Sequence, residues 1–314
     1  LIISASRRTD IPAYYSDWFF NRIKEGFVLV RNPMNFHKVG KVRLSPEVVD
    51  GIVFWTKNPV PMMDRLDEIG DYPYYFQFTL TSYGKDVEPN VPSKNEVIIP
   101  AFQKLSRKIG RDRVVWRYDP IFLSESYTID YHCRYFGALA ERLHEYTDRC
   151  TLSFIDHYRK TERNARPLGI IKATLEQKLE LMGRFSAIAA KYDLKLDACA
   201  EEIELEQFGI ARASCIDKAR LERIGGYALN IGRDRNQRPE CRCAESIDIG
   251  MYDTCKNGCL YCYANYSPKA ARENFSKHDA NSPLLCGELT EGDVVRERPA
   301  ASCRSCQMNL FSDV

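Results

Sequence analysis

The sequence predicts an α/β fold whose parallel sheet curls into a partial or full (β/α) barrel. Strand-like and helix-like segments alternate over the first 200 residues, and the strand candidates end in polar residues. In addition, seven of the twelve cysteines crowd between Cys199 and Cys262, marking a cysteine-rich region that follows the repeats.

The first strand candidate is Ile2–Ser6, and Ala13–Lys24 follows with aromatic and aliphatic residues on one side of a helix. Phe27–Arg31 and Lys41–Leu44, separated by the turn-rich stretch Asn32–Gly40, read as a hairpin inserted after this first unit. Gly51–Trp55, Tyr74–Thr81 and Arg113–Arg117 are the next strands. A helix then carries Phe136, Leu139, Leu143 and Tyr146 at spacings of three and four. After the strand Cys150–Ile155, a capping box from Thr174 to Gln177 opens a helix through Leu181, Phe185, Ile188 and Tyr192. Leu194–Ala198 is the sixth strand. The division expected is barrel repeats over 1–200, a cysteine-rich iron–sulfur region completing the barrel over 201–266, and a tail over 267–314. Within it, Ser267 to Ser302 is polar with few apolar anchors, and reads as wrapping the surface or partly loose.

Right-handed crossovers place all the strand C-termini on one face. Those ends read Ser6-Arg7-Arg8-Thr9-Asp10, Thr56-Lys57-Asn58, Thr79 with Thr81, Arg117-Tyr118-Asp119, Asp156-His157 and Asp197-Ala198-Cys199. One polar strand end is an ordinary solvated loop start. Six in series line a site.

Composition narrows the class. The 314 residues are 44% hydrophobic and 28% charged with a net charge of +2, which gives no electrostatic case for a general nucleic-acid binder. The basic strip Lys104–Arg113 reads as a solvated helix face. No apolar run approaches the ~18–20 residues that cross a bilayer, and no basic leader precedes the first strand. A start at Leu1 reads as a lost initiator residue or tag, and the expected location is the cytoplasm. In a reducing compartment, clustered thiols point to metal rather than disulfides.

Cys255, Cys259 and Cys262 have the spacing C-x3-C-x2-C, with Gly258 giving the loop turning freedom. Three thiolates on a tight loop ligate three irons of a 4Fe-4S cubane and leave the fourth open. Zinc sites use C-x2-C pairs with a second pair or histidines and fit this spacing poorly; chance spacing in a cysteine-rich region is the other alternative. The motif resembles the signature of the radical S-adenosylmethionine superfamily, including the aromatic Tyr261 before the third cysteine. That resemblance implies an oxygen-sensitive enzyme that cleaves S-adenosylmethionine to a 5′-deoxyadenosyl radical, drawing on an external one-electron reductant. Tyr261 would then offer its ring to adenine.

In the superfamily the motif follows the first barrel strand, whereas here it lies at 255–262. A circular permutation reconciles the two if Ser246–Tyr252 is a strand beside Ile2–Ser6. Arg7, Arg8, Thr9 and Asp10 would then end the strand next to the cluster, where the superfamily binds the methionine amino group. The whole chain also resembles domain-of-unknown-function family 1848. Ser6 through Pro12, Phe54 through Pro59, Arg117 through Pro120, Cys199 through Glu202 and Cys255 through Asn265 carry that likeness. The family is described as having a C-terminal cysteine cluster similar to the radical enzymes' N-terminal one, and it implies no substrate.

Cys199, Cys215, Cys241 and Cys243 form a second set of four, the number an auxiliary 4Fe-4S cluster needs. The same four suit zinc, or pair partly with Cys303 and Cys306. Cys303-x2-Cys306, with Cys286, is a third candidate set, with unligated thiols the alternative. Cys133 and Cys150 read as buried small apolar residues. Lys57 is a candidate contact for a carboxylate or phosphate, and Arg117 and Asp119 for ribose hydroxyls or substrate. His157 beside Asp156 is a candidate acid–base group, although a satisfied hydrogen-bonding role suits it better. The substrate expected is small or flexible. The competing readings are a non-catalytic iron–sulfur electron-transfer or redox-sensing protein and a zinc-stabilised binding module.

Overall fold

The computed structural model describes residues 1–156 and 163–305. Its strands in chain order are β1 (Ile2–Ala5), β2 (Phe27–Asn32), β3 (Asn35–Arg43), β4 (Gly51–Thr56), β5 (Tyr74–Thr79) and β6 (Val114–Ile121). They continue with β7 (Arg149–Phe154), β8 (Lys195–Ala198), β9 (Ala211–Arg212), β10 (Ile247–Asp248) and β11 (Val294–Glu297). Among the described residues, eight form one parallel sheet in the order β10-β1-β4-β5-β6-β7-β8-β9. The six strands expected from sequence are the centre of this sheet.

The side-chain alternation of these strands builds two separate cores. One face carries Ile3, Ala5, Ile52, Phe54, Phe76, Phe78, Trp116, Tyr118 and Leu152, which pack in the larger core with helix residues such as Phe19, Phe102, Phe136 and Phe185. Each such fully buried side chain contributes about 1.5–3 kcal/mol of transfer free energy. The other face is apolar only at its lower edge, where Ile2, Val53, Tyr75 and Val115 meet Cys215, Ile216, Leu221, Leu229, Cys241 and Cys243. Further along the same strands, toward their C-termini, this face turns polar, with Ser4, Gln77, Arg117 and Thr151 buried.

A closed barrel is not what forms. The sheet is open, with β9 and β10 as its edges and no pairing between them among the described residues. Each edge strand has only two residues, and the chain between them lies over the inner face instead of extending the ladder. The helix Lys218–Gly225 approaches β4 so closely that a Cβ on Gly51 would sit 2.6 Å from Leu221.

Several boundaries differ from the sequence reading. The first helix is two, Ile11–Tyr14 and Ser16–Glu25, because Tyr15 leaves helical geometry at φ −136°. The hairpin turn is tighter than expected, with Asn32 facing Asn35, and β2 and β3 join β11 in a small three-stranded sheet. Ser246–Tyr252 contributes only Ile247–Asp248 as strand, but those residues pair in parallel with Ile3 and Ser4. The described part of the tail, up to residue 305, is anchored rather than loose. Trp18 Nε1 donates to the carbonyls of Ser282 (2.9 Å) and Leu284 (3.1 Å), Leu284, Leu285 and Cys286 are buried, and β11 pairs with β3.

Candidate functional site

A cavity of about 440 Å³ opens at the C-terminal ends of the parallel strands. Cys255, Cys259 and Cys262 line it, and so do Cys199, Cys215, Cys241 and Cys243. Arg7, Arg8, Thr9, Asp10, Lys57, Arg117, Asp119 and Tyr261 line it as well, together with Asp156. Residues drawn from strand ends, the 199–243 segment and the 255–262 loop are therefore brought to one place. His157 and Cys306 lie outside the described residues. Cys286 is buried 4.0 Å from the Tyr15 hydroxyl, and the Cys303 amide donates to Asp50 (2.6 Å); neither cysteine lines the cavity.

The loop bearing the first three cysteines is held from several sides. Asp10 caps the helix Ile11–Tyr14 through the Ala13 amide (3.1 Å), and its other oxygen accepts from the Lys57 amide (2.8 Å) and Asn257 Nδ2 (3.0 Å). One carboxylate thus ties together the end of β1, the end of β4 and the cysteine loop. Asn257 Oδ1 accepts from Tyr14 (2.8 Å), Asn90 Nδ2 donates to the Lys256 carbonyl (2.8 Å), and Asn265 Nδ2 donates to the Cys255 carbonyl (2.6 Å). Gly258 has φ +68°, and a Cβ there would sit 2.9 Å from Asn90 Nδ2, so the position demands glycine on two counts. Asp248 does the same work for β10. It accepts from Ser4 Oγ (2.8 Å), Ser6 Oγ (2.6 Å), the Arg7 amide (2.8 Å) and the Gly250 amide (3.0 Å), joining the strand before the loop to β1.

Beneath the loop lies a buried charge network. Glu88 accepts from Lys57 Nζ (2.8 Å), Thr81 Oγ1 (3.0 Å) and the Tyr261 hydroxyl, and pairs with Lys94 Nζ (2.7 Å). Burial opposes its charge, but Lys57 and Lys94 prevail and hold its carboxyl down to about 2. Tyr261 is thereby fixed in place at the cavity wall, with Lys57 Nζ 5.6 Å from its ring centre. Burial pushes the Cys255 and Cys262 thiols up, and burial with the nearby Glu88 and Cys262 charges takes Cys259 up to about 12. Neighbouring positive charge, such as bound metal supplies, would favour their ionised forms.

The other four thiols form a chain of contacts. Cys215 Sγ lies 3.1 Å from Cys199 Sγ, Cys243 contacts Cys215, and Cys241 contacts Cys243. The Cys243 hydrogen bond lowers the Cys241 thiol to about 7. Arg117 reaches into this group, with Nη1 donating to Cys215 Sγ (2.8 Å), while its Nε and Nη2 bind Asp119. Among the described residues, no three His, Cys, Asp or Glu side chains are arranged as they stand to hold a metal ion. The donor set is nonetheless all sulfur, the choice of iron–sulfur clusters and zinc. Thr9 Oγ1, Trp55 Nε1 and Asn265 Oδ1, all on cavity residues, are buried without a hydrogen-bond partner among the described residues. Orphaned polar atoms around a cavity rimmed by seven thiols fit a site that takes both a sulfur-bound group and a polar ligand.

The family model described as Domain of unknown function (DUF1848) matches residues 2–264. The chain belongs to this family. The DUF1848 match takes in all seven cavity cysteines and ends just past Cys262, before the helix Pro268–Phe275. No curated protein matches the chain. Among solved structures, one titled "a putative alpha-L-fucosidase" from Bacteroides thetaiotaomicron is similar at 13% identity, covering 56% of this chain and 71% of that one with a TM-score of 0.25. A likeness at that level carries no argument about the DUF1848 site.

Glu88, Lys94, Asp248 and Asn257 are the residues that sequence reading missed. Glu88 and Lys94 lie in a turn-rich stretch without periodicity, and Asp248 acquires its role only through pairing with β1. Asn257 sits inside the cysteine motif, where its position was the one available signal.

Proposed function

We propose that this chain is a radical S-adenosylmethionine enzyme. In this reading Cys255, Cys259 and Cys262 hold a 4Fe-4S cluster, and Cys199, Cys215, Cys241 and Cys243 hold a second, auxiliary one. The observation that carries the reading is that both sulfur groups face one cavity at the C-terminal ends of a parallel sheet. When bound, the first cluster with S-adenosylmethionine supplies one-electron cleavage to a 5′-deoxyadenosyl radical, fed by an external reductant.

The chain's own residues position and enclose. Asp10 and Asn257 fix the loop, while Glu88 orients Tyr261 through its hydroxyl and Lys57 through its ammonium. Tyr261 lends a fixed wall on which an adenine ring could rest. Arg117 sets positive charge against Cys215 and is itself held by Asp119. With the strand-end cavity itself, lined by both sulfur groups, as the binding place, a small substrate or one flexible end of a larger one is favoured. The parallel pairing of β10 with β1 supports a circularly permuted order in which the strand before the cysteine loop stands first.

Metal analysis tests the assignment. After anaerobic reconstitution the chain is expected to carry about eight irons with matching sulfide, on the count for two cubanes. Replacing Cys255, Cys259 and Cys262 together by Ala should remove half, and replacing the other four the other half. Zinc without sulfide would overturn the proposal in favour of a zinc-stabilised module.

A further inference from the structure

We infer that the cavity holds an oxoanion, a carboxylate or phosphate, on Arg7 and Trp55, and that this anion belongs to the substrate. The inference starts from an imbalance of hydrogen-bond donors. Most cations at the cavity have carboxylate partners: Arg117 with Asp119, Lys57 with Glu88, and Arg238 with Asp156. Arg7 does not. Among the described residues no carboxylate lies within 4 Å of its guanidinium, and its one side-chain hydrogen bond goes from Nη2 to Ser246 Oγ (3.2 Å). Asp248 accepts from the backbone amide of Arg7; burial opposes the guanidinium's charge and Asp248 favours it only through space, with no ion pair between them within 4 Å among the described residues.

Trp55 adds a second unmatched donor at the same place. The Arg7 guanidinium lies over its ring at 5.8 Å, and Nε1 is buried with no acceptor among the described residues. An indole N–H can only donate, and so can a guanidinium. Two donor groups at one cavity wall with a single neutral acceptor between them, Ser246 Oγ on Arg7, call for a ligand that brings acceptors and negative charge. Carboxylate and phosphate both do so and match the guanidinium fork. Trp55 packs with the core that contains Cys215, Cys241 and Cys243, so this anion would sit on the side of the four-thiol group, with the hydroxyl of Tyr263, next to Cys262, donating to the Arg7 carbonyl (2.8 Å). That the anion is part of the substrate rests on the proposed function; that the cavity binds one does not.

The test is calorimetric titration of the full, reconstituted chain with inorganic phosphate and, separately, with acetate. Saturable binding of at least one is expected, and the stronger of the two names the anion's shape. Arg7→Gln should weaken it at least tenfold, as for a lost charged hydrogen bond, and Trp55→Phe, which keeps the ring, about threefold or more. Absence of saturable binding by both probes would overturn the inference, as would wild-type affinity in Arg7→Gln. So would an Arg7→Gln protein that loses iron from the second site but keeps its anion affinity, because Arg7 would then serve the thiolates. The same titration on metal-free chain separates the two proposals, since anion binding there stands whether or not the clusters form.

Discussion

Glu88→Gln removes the carboxylate that pairs with two largely buried lysines, Lys57 and Lys94. Glu88 is 2% exposed, and its carboxyl is held at about 2 against 4.5 for a free glutamate. That difference is worth about 3 kcal/mol of folding stability at neutral pH. The same figure follows from the ~3–5 kcal/mol typical of breaking a buried ion pair by removing one partner. Because the folded value is depressed, this stability is fully present above about 4.5 and is lost as pH falls toward about 2. Urea unfolding of wild type and variant, both purified anaerobically, should show a gap of about 3 kcal/mol at pH 7 that shrinks by more than half at pH 3. A gap below about 1 kcal/mol at pH 7, or one that stays constant down to pH 3, would refute the reasoning.

Asp248→Ala should cost about 3 kcal/mol, from the loss of three hydrogen bonds across the β1–β10 edge and a fourth to the Gly250 amide, read by urea unfolding. Gly258→Ala, at φ +68° against Asn90, should cost about 1–2 kcal/mol and lower the iron retained after reconstitution. Buried His132 is held near 4 by loss of hydration, so wild type should lose about 3 kcal/mol as pH falls from 6.5 to 4. A pH series of unfolding curves should show that slope, and His132→Gln should lack it.

The polar ends of six strand candidates were legible in sequence, and residues from all six meet at one cavity; the two faces were not, because a strand such as Ile2-Ile3-Ser4-Ala5 carries apolar residues on both sides. The sequence left a partial and a full barrel as alternatives, and the sheet that forms is open. Whether β9 and β10 meet depends on where the chain between them packs; β10 was legible within Ser246–Tyr252, but the two-residue β9 left no sequence pattern. The seven cavity cysteines stood out by spacing and crowding alone. The supports beneath them did not, because a carboxylate such as Glu88 or Asp248 acquires its role from partners far away in sequence. Composition left open whether the tail wraps the surface or is partly loose; three consecutive buried residues, Leu284, Leu285 and Cys286, with two carbonyls for Trp18, suffice to dock an otherwise polar segment.

The most direct test of the central claim is 5′-deoxyadenosine formation by the anaerobically reconstituted chain given dithionite and S-adenosylmethionine, with Cys259→Ala alongside. The account predicts 5′-deoxyadenosine from wild type and none from the variant. A wild-type protein loaded with iron and sulfide that forms no 5′-deoxyadenosine would contradict it and leave an electron-transfer protein in its place.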